Sequence, residues 1–350
     1  MQKFKEGDIS FFADNNQTRK AGVFFNPSRR FDRDLNISFI RALGRKDMLG
    51  IDLFAASGVR GLRLAKETGA FEKMILNDIR TLKTIKRNVA LNKISGTKIG
   101  QTDMNAANIN AMDEGFDYID IDPFGSPARF LATSLQKLRY GGVLSITATD
   151  SAPLYGKAPK ACILKYGAVS FKTQYYNEIG LRILLKRAEE IANIYERSLE
   201  PLLFDVRRHY LRAYLKVTKP DSSRPIGYVY QCSKCPYRSV EREADKCPEC
   251  GSALISVGPM WLGRLFSREL LCRMPAFSSS EDVKSYVEML AREEDIISYY
   301  TTSGLSSYLR TKEMPIQTLG SRTVFDPKGF RTKKPLSEII SEWENLLAQV

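Results

Sequence analysis

Between residues 48 and 148 the chain alternates short strand-like runs, most of them apolar, with stretches of helical spacing, and each run meets an acid at or just past its end. The runs span 48–54, which contains Asp52, then 73–76 before Asp78, 98–102 before Asp103, 116–121 before Asp122, and 142–148 before Asp150. Helices are predicted over 59–67, 81–91 and 127–138. Strands separated by helices lie parallel in a doubly wound sheet. Ligands of such sheets bind at the carboxyl ends of the strands, where these acids stand.

Around this centre the pattern is less regular. Residues 1–48 are rich in charge, with an extended, turn-rich stretch over 24–34 and a helix predicted over 36–43. A long helix is predicted over 178–200 from the spacing of Leu181, Leu184, Leu185, Ala188, Ile191 and Ile194. Residues 202–207 and 211–218 then read as a strand pair about a turn at His209 and Tyr210. A linker over 219–225 holds two prolines and two serines, which predicts a domain boundary and two units, 1–220 and 221–350. The second unit is read as a smaller α+β domain with strands near 228–231 and 253–257 and a mostly helical tail.

Four of the six cysteines form two Cys-x-x-Cys pairs, Cys232 with Cys235 and Cys247 with Cys250. Two such knuckles supply four thiolates at tetrahedral spacing, which predicts a structural zinc ribbon over about 228–257. Four thiolates close the metal's shell and leave no position for a substrate. Cys162 and Cys272 read as plain buried thiols.

The net charge of +13 is unevenly spread. The first 220 residues carry 36 Lys and Arg against 23 Asp and Glu, whereas residues 221–350 carry 17 of each. A basic surface attracts phosphate backbones, so the expected partner is a nucleic acid. The pairs Arg29-Arg30 and the stretch 328–334 are candidate RNA contacts, with a solvated loop as the alternative for the latter. No run approaches the ~20 apolar residues needed to cross a bilayer. The expectation is a cytoplasmic protein with no membrane contact and no obligate protein partner evident.

The first apolar run opens into Asp52-Leu53-Phe54-Ala55-Ala56-Ser57-Gly58, a turn of small residues that lets a ligand approach the backbone. Asp52 suits an ammonium group there, and Asp78, twenty residues past Gly58, suits ribose hydroxyls. Asp103 and Met104 suit an adenine amine and its ring. Three carboxylates repel a pyrophosphate, so S-adenosylmethionine, a cation without phosphate, fits better than a nicotinamide dinucleotide. At the fourth run, Asp122, Pro123 and Phe124 together suit a flat base bearing an exocyclic amine, with the carboxylate as acceptor and the ring as a stacking face. A strand capped by an Asp-Pro turn, with Phe124 in the core, is the other reading of the same residues. His209, the only histidine, reads as structural, and Asp150 with Ser151 lies within reach of the substrate pocket.

The segments Phe24-Phe25-Asn26-Pro27, Phe31-Asp32-Arg33-Asp34, Ala56-Ser57-Gly58-Val59-Arg60-Gly61, Asn77-Asp78-Ile79, Asp120-Ile121-Asp122-Pro123-Phe124-Gly125-Ser126-Pro127 and Thr147-Ala148-Thr149-Asp150 closely resemble the Trm1 family of tRNA guanine-N2 dimethyltransferases. The resemblance covers about residues 1–220. It implies a Rossmann-like class I methyltransferase sheet closed by an antiparallel strand pair, and methylation of the guanine at position 26, between the D and anticodon stems; whether a neighbouring guanine is also modified is not encoded in these motifs. It also implies that Arg33, Arg60, Asp78, Asp103 and Met104 line the S-adenosylmethionine site, that Asp122 is the catalytic carboxylate, and that Phe24 and Asn26 belong to the substrate pocket with Phe124 nearby. Asp32 stands where the family commonly has Asn. A DNA adenine amino-methyltransferase and a noncatalytic zinc-ribbon nucleic-acid-binding module are the alternatives, the first disfavoured because only one proline precedes Phe124.

Overall fold

The computed structural model describes residues 1–14, 22–242, 245–316 and 319–348. A hairpin of β1 (Gln2–Glu6) and β2 (Ile9–Ala13) opens the chain, and a 3-10 turn over Pro27–Arg29 leads into α1 (Arg30–Leu43). Then come β3 (Met48–Asp52), α2 (Val59–Thr68), β4 (Phe71–Asn77), α3 (Leu82–Asn92), β5 (Lys98–Thr102), β6 (Phe116–Ile121), α4 (Ala128–Lys137) and β7 (Leu138–Ala148). Two short helices, α5 (Ser151–Leu154) and α6 (Pro159–Tyr166), precede α7 (Tyr176–Ile194), β8 (Ser198–Arg207) and β9 (Tyr210–Thr218).

One seven-stranded sheet runs in the order β5-β4-β3-β6-β7-β9-β8. Its first five strands are parallel and β9 lies antiparallel to both β7 and β8, so the expected α/β sheet with its antiparallel closing pair is found. The strand order reverses between β3 and β6, and the crevice there opens at the ends of β3, β4 and β6. The close approach of α2 to the sheet depends on glycine: a Cβ at Gly61 would stand 2.1 Å from Leu76 Cδ2, and Gly58, at φ 82°, turns the chain into the helix.

Three local expectations are corrected. The N-terminal hairpin was not foreseen; Gly7 and Asp8 form its two-residue loop, with Gly7 at φ 54°. The helix of α1 begins at Arg30, six residues before the predicted start, because Asn26 Oδ1 accepts from Ser28 N at 2.9 Å and Pro27 is preset for a helical turn. The long helix stops at Ile194 instead of 200: Glu196 takes a left-handed φ of 55°, and Ser198 already belongs to β8.

After the linker, β10 (Ile226–Cys232), β11 (Arg238–Ser239) and β12 (Leu254–Trp261) form a small antiparallel sheet in the order β11-β10-β12. The tail holds α8 (Arg268–Arg273), α9 (Glu281–Arg292), β13 (Tyr300–Thr301), α10 (Thr302–Leu309), β14 (Ser321–Thr323), β15 (Asp326–Arg331) and α11 (Leu336–Leu347). Helix prevails in it as expected, and β13, β15 and β14 add a third small sheet that the sequence pattern does not reveal. The main core runs without a break from the large sheet through Val257 and Met260 of β12 to Val283, Val287 and Leu290 of α9. A second core gathers Cys232, Cys235 and Cys247 with Tyr300, Leu305, Phe330 and Trp343. Among the described residues, no helix is long and apolar enough to cross a membrane.

Candidate active site

A cleft of about 340 Å³ lies at the strand-order reversal, bounded by Asp52 and the loop through Phe54, Ala55, Ala56 and Ser57, by Asp78, Ile79 and Arg80, by Asp122, Pro123 and Phe124, and by Phe24, Asn26, Arg33 and Arg60. It therefore gathers residues predicted from four separated segments. Asp78 fixes the loop geometry, accepting from Ala56 N at 3.1 Å, Arg80 N at 2.8 Å and Thr81 N at 3.1 Å. Asp103 and Met104 do not line this cleft; they stand past the end of β5, one strand out from Asp78, with Asp103 exposed.

Beneath the cleft floor lies a buried ionic cluster. Arg29 Nη2 and Arg60 Nη2 each donate to Asp122 Oδ2 at 3.1 Å. Both arginines also hold Asp32 Oδ2, at 2.8 and 2.7 Å, and Arg212 of β9 reaches Asp32 Oδ1 at 3.2 Å and pairs closely with Asp120. Burial raises the Asp122 carboxyl, yet Arg29, Arg60 and Arg212 together outweigh it and hold the group below the ordinary carboxylate range. The same contest leaves Asp32 well below its usual value. Asp122 is therefore ionised near neutral pH, an acceptor of hydrogen bonds and only a weak base. Among the described residues all its partners meet Oδ2, so Oδ1 is unengaged and its side chain is 20% exposed to the cleft.

Asp52 behaves oppositely. Burial first, then the charges of Asp120 and Asp122, push its carboxyl up to about 8, with only Arg60 and the Phe54 amide opposing. Near neutral pH the ionised Asp32 and Asp122 thus meet the guanidiniums of Arg29, Arg60 and Arg212, with Asp52 neutral. A buried cluster is tolerable only when its charges balance. An incoming cation beside Asp52 shifts that balance and favours loss of its proton.

The aromatic residues divide the work. Phe25 is buried against Phe4 and Phe11, with ring centroids 4.9 and 4.8 Å away. Phe24 meets Phe124 edge to face at 5.0 Å, and Phe124 is 54% exposed, which excludes the reading that places it in the core. Arg33 holds the hairpin to the site, donating to both oxygens of Glu6 at 2.6 Å and to Asn26 O at 3.2 Å. Arg29, Asp120 and Arg212 escaped the sequence reading as site residues. An arginine within the apolar run of β9 and an acid within that of β6 were the available signals, because a charge in a buried strand requires a partner.

The candidate RNA grips fare unevenly. Arg29 is committed to Asp32 and Asp122, while Arg30 is exposed and pairs with Asp34 at 3.5 Å. Arg331 is buried between Glu178 and Glu293 at 3.0 and 2.8 Å, which removes it from the proposed basic stretch, and Lys328 and Lys334 pair with Glu313 and Glu342. Asp150 accepts from Lys165 and Tyr166 and does not line the cleft.

The four predicted ligand cysteines do converge. Their sulfurs all lie within 4.8 Å of one another, with Cys232 to Cys250 and Cys235 to Cys247 at 3.5 Å. Ligands about 2.3 Å from a tetrahedral zinc stand about 3.8 Å apart. Lys234 N and Cys235 N point at Cys232 Sγ from 3.3 and 3.4 Å, as donors to a thiolate do. The donor set is compatible with zinc.

The strand order, the small-residue loop and the acid-lined cleft define a methyltransferase of the class that uses S-adenosylmethionine. The chain belongs to the N2,N2-dimethylguanosine tRNA methyltransferase family, whose model matches residues 5–343. It is 34% identical over 346 residues to the tRNA (guanine(26)-N(2))-dimethyltransferase of Saccharolobus solfataricus, covering 91% of this chain and 90% of that protein. It is 32% identical over 356 residues to the tRNA (guanine(26)-N(2)/guanine(27)-N(2))-dimethyltransferase of Aquifex aeolicus, covering 93% and 90%. Its structure is similar to that of Trm1 from Pyrococcus horikoshii in complex with S-adenosyl-L-methionine, with a TM-score of 0.87 and 28% identity over 97% of this chain and 99% of that one. Membership of this family sets aside the DNA methyltransferase and noncatalytic readings.

Proposed function

We propose that the protein transfers methyl groups from S-adenosylmethionine to the exocyclic N2 of guanine 26 in tRNA, first one and then a second, with Asp122 Oδ1 as the acceptor that aims the amine. The observation that carries the role of Asp122 is the division of its oxygens: Arg29 and Arg60 both donate to Oδ2, which leaves Oδ1 for a substrate in the cleft that Asp122 lines. The target guanine leaves its stack, lies against Phe24 or Phe124, and donates from N2 to Asp122 Oδ1 and the Pro123 carbonyl. The N2 lone pair is spread into the purine ring, so hydrogen bonds that pyramidalise the nitrogen raise its reactivity toward the sulfonium methyl. The nitrogen loses its proton as the methyl arrives, and a low-pKa carboxylate suffices to accept it. Asn26 supports the substrate side by fixing the turn under Phe24. On the cofactor side Asp52 takes the ammonium, Asp78 the ribose hydroxyls, Arg33 and Arg60 the framework, and Asp103 with Met104 the adenine rim.

Residues 1–220 form the catalytic unit in this reading, and residues 221–350 a C-terminal unit in which Cys232, Cys235, Cys247 and Cys250 hold a structural zinc. The test of the acceptor role is Asp122→Ala beside Asp122→Asn. Methyl transfer to unmodified tRNA should fall by about 100-fold or more, while calorimetric affinity for S-adenosylmethionine stays within a few-fold. Near-normal turnover with cofactor binding intact would sink the role.

A further inference from the structure

A second cavity, about 680 Å³, adjoins the methyl-transfer cleft and shares Asn26 and Arg29 with it. Its walls come from three places: Phe31 at the start of α1, Arg207 and His209 at the turn between β8 and β9, and Tyr286 with Met289 on α9. None of these is used by the chemistry above. Arg207 lies with its guanidinium 4.2 Å from the Phe31 ring centroid and 5.5 Å from that of Tyr286, while its side chain remains 46% exposed. His209 is exposed, and Met289 is an exposed large apolar residue at 37%.

We infer that this cavity is the seat of a nucleotide flanking the target guanine, held out of its helical stack beside it. The inference rests on the proposed base extrusion at Asp122. A guanine drawn out of a helix strips its neighbour of a stacking face, and an aromatic or guanidinium plane restores that contact. The exposed guanidinium of Arg207 and the half-buried ring of Phe31 provide such planes, with Tyr286 buried behind them as their support. Arg207, paired on one side with Asp205, and Arg208 give the turn a positive rim suited to the connecting phosphates, whereas Asp282 on α9, also lining the cavity, repels them. The placement also fits: the two cavities share Asn26 and Arg29, so they adjoin as the seats of adjacent nucleotides must. Because Tyr286 and Met289 lie beyond the linker, the groove is built by both halves of the chain.

The test uses the full chain and couples protein to RNA changes. In His209→Glu and Met289→Glu both side chains are exposed, so folding is retained and melting temperature serves as its check. The expected result is a tenfold or larger fall in kcat/KM for tRNA with affinity for S-adenosylmethionine unchanged. The second arm uses tRNA with an abasic residue on one or the other side of the target. At one of these positions the abasic residue should lower wild-type kcat/KM tenfold, and lower that of the variants less than twofold. If the losses from protein and RNA changes simply multiply at both positions, or if both variants keep wild-type kcat/KM, the assignment is overturned. Failure of wild-type enzyme on intact tRNA would instead refute the underlying reading of the reaction.

Discussion

Two carboxylates at the ends of neighbouring strands in the cleft carry opposite protonation, and the difference comes from how the arginines are shared. Asp122 faces three guanidiniums and stays ionised; Asp52 faces two other acids and is pushed up to about 8. The sign for stability follows from linkage. Between the ordinary carboxylate pKa of about 4 and the folded value of about 8, native Asp52 binds a proton that the unfolded chain has released, so its contribution to stability falls as pH rises through that window. Asp52→Asn should therefore flatten the decline of melting temperature between pH 6 and 9 as measured by scanning calorimetry. The same carboxyl should release a proton when the cofactor's ammonium arrives. Titrations at pH 7 in buffers of different ionisation enthalpy should show proton release on binding in wild type and less in Asp52→Asn. Equal release by both proteins would show that Asp52 is not the group that meets the cation.

At the scale of elements, the N-terminal hairpin is locked to α3 by side chains acting as a missing strand. Asn88 of α3 accepts from Phe12 N at 2.8 Å and donates to Phe12 O at 3.0 Å, and Asn92 does the same for Ser10 at 2.9 and 2.7 Å. Asn88 also donates to Ser57 O at 2.8 Å, tying the hairpin to the cofactor loop. Asn88→Ala should cost about 1–3 kcal/mol by leaving buried backbone groups unpaired, read by urea denaturation, and should weaken S-adenosylmethionine binding as the Ser57 loop loosens. Unchanged cofactor affinity would confine Asn88 to a role in the hairpin. Elements of this sort mark where sequence reading stops. The bounds of β6 were legible to the residue because a strand in the middle of a parallel sheet is buried on both faces, as all its residues are. The hairpin carried a readable Gly7-Asp8 turn, but charged Lys3, Lys5 and Glu6 masked its single buried face. Partners of Arg212 and Asp120 lie 92 residues apart, and no local spacing encodes such a pairing.

In the whole molecule the two halves share one core but are tied by different means at each end. Arg331 of β15 bridges Glu178 of α7 and Glu293 at the end of α9, all buried, so the tail is fastened to the catalytic half by an ion triad. The cysteine cluster belongs instead to the second core, packed with Tyr300, Leu305, Phe330 and Trp343. Four thiolates gathered within 4.8 Å repel one another unless a cation or protons neutralise them. Loss of the metal should thus unfasten β10 and β12 near the knuckles and loosen the small core, while α9, whose Val283, Val287 and Leu290 sit in the main core, keeps its place beside the cleft. The denatured protein should release about one zinc per chain to a colorimetric chelator. Treatment of the native enzyme with a strong chelator should lower the melting temperature and open amide exchange around residues 232–250, with S-adenosylmethionine affinity within a few-fold of the starting value. A protein that yields no zinc and melts unchanged after chelation would show the four cysteines to be a reduced thiol cluster, whereas loss of cofactor binding on chelation would mean that the second core supports the cleft directly.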